Sequence, residues 1–430
     1  MKKSLFVVSL FASGMALAAA TVSNVTLSRN ETTKLVYVTY RLAEPAIVTG
    51  VLMTNGAPVV THSLGGEINM YIDKAGTHAF CWQPRESDGG MELDASKLTV
   101  EVKTWTLQAP PKFMAIEMAN RKLRRYYDAL EALPDGVESI RYRRDEILMR
   151  YVQAAGKTFK MGTSPNEYGY NSQSGVSDPA HFVSFTNDYY MGVFELTQGQ
   201  FSRDHADTSD ATKKGDAYPA NQMSIGNDLR GWRVNNYRWP QNGHAVGGST
   251  YFAALRNRFG GAYLFDLPTE AQWEFAARAG ADTLLPGGEV VTNGVELTAA
   301  LETYAWTKAN GNGEIHEVGL KKPNAWGLYD VLGNVQEFVL DTWDTTKDAE
   351  LVETVLVGDG HQIEPTGWVT EERQQTILRG GSADFAAETA LRLPARHCRL
   401  YAQGGYKFVG LRLWCEVPQV QGPSLPQPES

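Results

Sequence analysis

The sequence predicts an all-β sandwich followed by a loop-rich α+β domain, and three observations predict it. From Thr21 to about Thr106, apolar residues recur at every second position, as in Val36, Val38, Tyr40, Leu42 and again in Leu98, Val100, Val102. That period puts one strand face in a core and the other in water. Beyond Gly156, short strand-like runs, two or three compact helices and many Gly/Asn/Asp loops take over. The chain also carries 41 glycines and 10 tryptophans in 430 residues. Glycine opens positive-φ turns and tryptophan needs a well-packed niche with a polar edge, so the pairing reads as long, ordered loops. With 43% hydrophobic and 21% charged residues, a wholly disordered, collagen-like or coiled-coil chain is excluded. A formal net charge of −9 argues against a nucleic-acid backbone or an anionic membrane surface as partner.

Residues 1–20 read as a secretory signal peptide: Lys2-Lys3, an apolar run from Leu5 to Leu17, then Ala18-Ala19-Ala20, with cleavage expected near Ala18 or Ala20. The protein is therefore expected to be secreted or periplasmic. No other stretch reaches spanning length, so no membrane span is expected. The three cysteines are Cys81, Cys398 and Cys415. An odd count leaves at least one thiol outside any internal bridge. Cys398 and Cys415 form the plausible pair by proximity, and small buried hydrophobes are the alternative for all three.

Along residues 21–106, turn signals at Asn55-Gly56-Ala57-Pro58, Gly65-Gly66, Ala75-Gly76 and Asp88-Gly89-Gly90 punctuate the alternation. This reads as a sandwich of the immunoglobulin or fibronectin kind with a spacer or docking role. Ala109-Pro110-Pro111 opens a connecting segment, 107–155, in which Arg121 to Leu133 could form an amphipathic helix stopped by Pro134-Asp135-Gly136. The α+β domain is placed at 156–417. Its clearest element follows Thr269: Thr269 and Gln272 have capping-box spacing, and Gly280 supplies the left-handed stop. Phe252, Leu255 and Phe259 share one face of a helix from Ser249 to Phe259, and Thr197 with Gln200 repeats the capping-box spacing. Residues 418–430 carry four prolines and little to bury, which predicts a disordered tail.

A set of segments in this domain goes further. Phe159-Lys160-Met161-Gly162, Tyr189-Tyr190-Met191-Gly192-Val193-Phe194-Glu195-Leu196-Thr197, Leu267 to Glu274, Asn324 to Phe338, Arg379-Gly380-Gly381-Ser382 and Gly410-Leu411-Arg412 occur in that order. Together they resemble the formylglycine-generating enzyme, or sulfatase-modifying factor, family over about residues 150 to 416. The resemblance implies a C-type-lectin-like fold of extensive ordered loops. Family members that oxidise a substrate cysteine hold copper between two cysteines, three and eight positions after the serine of Gly-Gly-Ser. Soft thiolates suit cuprous copper, but Phe385 and Ala390 occupy those positions here, so copper is not expected and no catalytic residue is assigned. The eight histidines show no His-x-x-x-His spacing of the kind that related iron enzymes use.

The resemblance also implies a structural calcium site, with carboxylates from Asp330 and Glu337 and carbonyls from Gly333 and Val335, oxygen donors of the kind calcium takes. A turn cap at Asp330 and a salt bridge at Glu337 would account for the same residues without an ion. In the family, the surface between Gly-Gly-Ser and the last strand receives a peptide. It offers Asp384, Arg392, Arg396 and Tyr401 as candidate ligand-binding residues, arginine and tyrosine being common interface anchors. Two functions follow: a non-catalytic module that binds a protein, peptide or glycan through the loops between Ser382 and Gly410, or an oxidoreductase of protein cysteine with a different metal set.

Overall fold

The computed structural model describes residues 20–59, 61, 64–84, 94–119, 124–164, 166–170, 180–205, 213–231, 244–343, 356–357, 375–385, 391–401 and 405–417. The expected signal peptide up to residue 19 and the expected tail, 418–430, lie outside them. Among the described residues, the N-terminal region has eight strands: β1 (Val22–Arg29), β2 (Val36–Leu42), β3 (Ala46–Thr54), β4 (Ala57–Pro58), β5 (Leu64–Gly66), β6 (Met70–Ile72), β7 (Gly76–Trp82) and β8 (Leu98–Trp105). One antiparallel sheet has the order β1-β2-β7-β5; the other runs β4-β3-β6, with β8 also paired to β3. Strand β2 shows the predicted alternation, burying Val36, Val38, Tyr40 and Leu42 and exposing the residues between them. Those side chains meet Val48 and Leu52 from β3 and Phe80 and Trp82 from β7 in one core shared by both sheets.

Residues 107–155 are not a connector. They supply β9 (Phe113–Glu117), β10 (Arg124–Tyr127) and β11 (Glu146–Val152). Further along come β12 (Thr158–Met161), β13 (His181–Ser184), β14 (Tyr189–Gly192), β15 (Phe265–Asp266), β16 (Gln336–Trp343), β17 (Leu356–Val357), β18 (Gln375–Arg379), β19 (Arg396–Tyr401), β20 (Val409–Gly410) and β21 (Trp414–Glu416). The central sheet has the order β10-β9-β11-β14-β21-β15; smaller sheets run β12-β13-β17 and β19-β18-β16-β20. The helix expected from Arg121 to Leu133 is overturned, because Arg124–Tyr127 pairs with β9 in antiparallel register. Sheet pairing makes its arginines useful as strand residues: Arg124 lies 5.4 Å from the centroid of the Tyr263 ring, and Arg125 donates to the Ile68 carbonyl at 3.3 Å. Together with a bond from the Tyr126 amide to the Asn69 carbonyl at 2.7 Å, this docks the N-terminal sheets directly on the domain. Ile47, on β3, joins the domain's core beside Met114 and Tyr190.

Among the described residues, six short α-helices pack around the sheets: α1 (Arg141–Arg144), α2 (Gln198–Phe201), α3 (Tyr251–Arg258), α4 (Glu270–Arg278), α5 (Gly294–Tyr304) and α6 (Lys308–Gly311). Both predicted capping boxes form, at Thr197/Gln200 and at Thr269/Gln272. Helix α3 falls inside the predicted span and buries Phe252 and Leu255. The left-handed stop of α4 is Ala279, at φ +49°, one residue ahead of the expected Gly280. Among the described residues no helix is long and apolar enough to cross a membrane. Cys415 is a free, buried thiol on β21, so the bridge to Cys398 is not formed.

Beside β21 sits an ion cluster with a consequence for acid stability. Asp266 is fully buried and pairs with Arg230 at 3.1 Å, Arg256 at 3.3 Å and His244 at 2.8 Å. Burial by itself would push its pKa up, but Arg230, His244 and Arg256 outweigh burial and leave it below the usual carboxylate range. A depressed folded-state pKa contributes stability that is present above the unfolded value of about 4 and is lost as pH falls through the folded value. Asp266→Asn is therefore expected to flatten the acid limb of a plot of urea midpoint against pH. An unchanged acid limb would remove Asp266 from the account of acid unfolding.

Candidate functional site

The site is built where β18 ends. Gly380 and Gly381 both have positive φ, +87° and +70°, and turn the chain from the buried Arg379 into Ser382, which is itself inaccessible. The Ser382 hydroxyl donates to Asp384 Oδ1 at 2.5 Å, and the Ala383 amide donates to the Asn334 carbonyl at 3.0 Å. Phe385, at the first of the two expected copper positions, packs half-buried against the main core. Its carbonyl accepts from the Lys308 amide at 3.3 Å. Ala390, at the second, lies outside the described residues. A phenyl ring offers no metal donor, and Cys415 is buried on another sheet with its thiol pKa pushed up by burial. The residues present do not fit copper.

The neighbouring loop, 330–337, carries the expected calcium ligands. Asp330 is buried in a left-handed conformation, φ +53°. Its Oδ2 accepts from the Gly319 amide at 2.7 Å, while Oδ1 is buried with no hydrogen-bond partner. Glu337 is 1% exposed, and both of its oxygens are engaged: Arg412 Nη2 lies 2.8 Å from Oε1, and Trp273 Nε1 lies 2.6 Å from Oε2. Among the described residues no group of three or more His, Cys, Asp or Glu side chains is placed to hold a metal ion. As they stand, the two expected carboxylates do not fit calcium, because both Glu337 oxygens are engaged by Arg412 and Trp273 and only Asp330 Oδ1 is left over.

Glu195 belongs to this centre and was not singled out as a site residue from the sequence. It is fully buried; Oε1 accepts from the Val335 amide at 3.1 Å and Oε2 from Asn334 Nδ2 at 2.7 Å. Burial, reinforced by Asp330 and Glu337, pushes its pKa well above the usual carboxylate range. The signal for it was a lone acid inside the apolar run Val193-Phe194-Glu195-Leu196. Next to the loop, Trp306 stacks on His316 with ring centroids 3.9 Å apart, and Lys321 Nζ sits 4.0 Å from the indole centroid. Two groups that close to one centroid must take opposite faces of the indole.

Of the four candidate ligand-binding residues, Asp384 and Arg392 have described side chains, and they differ in exposure. Asp384 is exposed and held by Ser382. Arg392 is 1% exposed, with Nη1 donating to the Tyr168 carbonyl at 3.2 Å. Desolvation brings its pKa down to about 10. Its guanidinium ties a loop in place and is closed to a ligand. Arg396 and Tyr401 begin and end the edge strand β19, in register with Arg379 and Gln375; their side chains lie outside the described residues.

Residues 143–417 match the FGE-sulfatase family model, described as a sulfatase-modifying factor enzyme 1-like domain. The chain is 32% identical over 124 residues to a formylglycine-generating enzyme of Streptomyces coelicolor, covering 27% of this chain and 35% of that protein. It is 33% identical over 124 residues to that of Thermomonospora curvata, covering 27% and 37%. The match thus spans about a third of the length of these curated relatives. Among solved structures, PvdO from Pseudomonas aeruginosa superposes with a TM-score of 0.44 at 21% identity, over 63% of this chain and 94% of that one. Treponema denticola variable protein 1 gives 0.43 at 22% identity, over 63% and 95%. A family match across well over half of the chain, on a domain whose shared motifs build its central loops, makes this protein a member of the sulfatase-modifying factor family.

Proposed function

We propose that this protein is a non-catalytic member of its family, which binds a protein, peptide or glycan through the surface between Ser382 and Gly410. The observation that supports the reading is Phe385, an aromatic ring packed on the core at a position where copper chemistry requires a thiolate. In this reading the domain has the C-type-lectin-like form implied by its motifs, and the N-terminal sheets are an immunoglobulin- or fibronectin-like module that holds it. The protein is exported. Cleavage after Ala18 would keep Ala20, which is buried and accepts a hydrogen bond from Thr104. The ligand surface is the part left accessible around Asp384 once Arg392 is assigned to the fold.

The test is chemical. The purified protein is incubated with a cysteine-containing sulfatase peptide, copper and oxygen, and the peptide is weighed by mass spectrometry. No cysteine-to-aldehyde conversion is expected. Turnover that survives substitution of Cys398 and Cys415 would sink the binding reading and favour an oxidoreductase with a different metal set. The binding half is checked on glycan and peptide arrays, where signal from the intact protein is expected to disappear in Asp384→Lys. Retained signal would move the ligand surface elsewhere.

A further inference from the structure

We propose that the cation of the Asp330–Glu337 centre is built into the chain: the Arg412 guanidinium fills the cage in which a metal ion would otherwise be needed, and the loop closes without calcium. Arg412 lies between β20 and β21 and is 1% exposed. All five of its N–H donors are placed. Nε is shared between the two oxygens of Glu337, at 3.2 Å from each. Nη2 donates to Glu337 Oε1 at 2.8 Å and to the Tyr329 carbonyl at 2.7 Å. Nη1 donates to the carbonyls of Gly192 and Val193, both at 2.9 Å.

One carboxylate and three main-chain carbonyls form an all-oxygen shell, the donor type that a hard cation selects. Here the shell encloses a planar fork whose five donors match it. The carboxylate offers about four lone-pair sites. Arg412 and Trp273 aim three N–H groups at Glu337, Nη2 at Oε1, the indole N–H at Oε2 and Nε shared between the two, so both oxygens are engaged. A calcium ion arriving at Glu337 would have to displace a guanidinium and would meet its charge at contact distance. Asp330 Oδ1 is the one side-chain oxygen of Asp330 and Glu337 without a hydrogen-bond partner, and even with the two expected main-chain carbonyls, those of Gly333 and Val335, it falls well short of the six to eight oxygens that calcium takes.

The arrangement also explains how distant parts of the chain are joined. Gly192 and Val193 at the end of β14, Tyr329 and Glu337 around the loop, and Arg412 near the last strand converge on one charge. A covalently attached cation cannot be removed by dilution or by a chelator.

Full-length protein is melted after dialysis against EDTA and again with calcium chloride added, and calcium binding is measured directly by equilibrium dialysis. Equal midpoints and no stoichiometric calcium uptake are expected. A midpoint that falls on chelation and returns with calcium, or one calcium bound per chain, overturns the proposal. Arg412→Gln empties the cage of its charge, so its lowered midpoint is expected to rise when calcium is added. Indifference of the folded variant to calcium would count against a cation cage. If Arg412→Gln does not fold, the two wild-type measurements decide.

Discussion

Arg379→Met is expected to lower the unfolding free energy by about 3–5 kcal/mol, the loss typical when one partner is removed from a buried ion network. Arg379 is inaccessible and so is Glu274, while Glu270 is 2% exposed. Its guanidinium joins Glu270, at 3.2 Å, and Glu274 of α4 to the carbonyls of Leu393 and Pro394, at 2.8 and 3.2 Å. Glu274 keeps a second cation, Arg278 at 2.6 Å, which limits its share of the cost. Urea denaturation followed by tryptophan fluorescence measures it. Glu270→Gln combined with Arg379→Met removes one of the carboxylate charges that faced the guanidinium and is expected to recover part of the loss. Equal losses in the single and double variants would show that the carboxylate is not the source. By contrast, removing the exposed Lys103–Glu101 pair, 3.2 Å apart, is expected to cost less than about 1 kcal/mol.

Gly333→Ala is expected to be nearly as damaging, on the order of 3–5 kcal/mol from backbone strain and overpacking together. Gly333 sits at φ +78°, where L side chains are rarely found, and a Cβ there would lie 2.2 Å from the Trp306 carbonyl oxygen. Backbone cannot swing aside as a flexible side chain can. The loop must shift, and with it go the Gly333 amide bond to the Gly380 carbonyl and the Asn334 amide bond to Trp306, at 3.0 and 3.1 Å. The first of those bonds holds the Gly-Gly-Ser turn against the 330–337 loop, and the second ties the loop to Trp306. Gly280→Ala is the control: it has a similar φ of +90° but open space around the new methyl, so about 1 kcal/mol of strain is expected. Comparable losses in both variants, by thermal or urea denaturation, would mean that the contact with Trp306 contributes nothing.

What the sequence made legible follows from how local each signal is. The capping boxes at Thr197 and Thr269 are complete within four residues, and both form. The alternation of β2 survives because one face meets water. Strands β9 and β11 lie inside the central sheet with most of their residues buried on either side, so Phe-Met-Ala-Ile and Ile-Leu-Met read as apolar runs without a period. A three-stranded part of the central sheet therefore has the sequence texture of a connector. Helix propensity in Arg121 to Leu133 lost to pairing with β9, a choice made by residues outside the window. The site divides in the same way. The motif around Asp330 to Glu337 was legible, whereas the partners that complete it, Glu195 and Arg412, come from more than 70 residues away on either side.

The position of β21 sets the timing of assembly. It lies between β14 and β15 in the central sheet, yet it is formed by residues 414–416. The N-terminal sheets are complete once β8 has been made. The inner edge of β14 must then wait for almost all of the remaining chain, on the order of tens of seconds at about 5–20 residues per second. Throughout that interval it is an unpaired strand edge available to another nascent chain. Until residues 414–416 are in place, the central sheet therefore carries an open edge along β14.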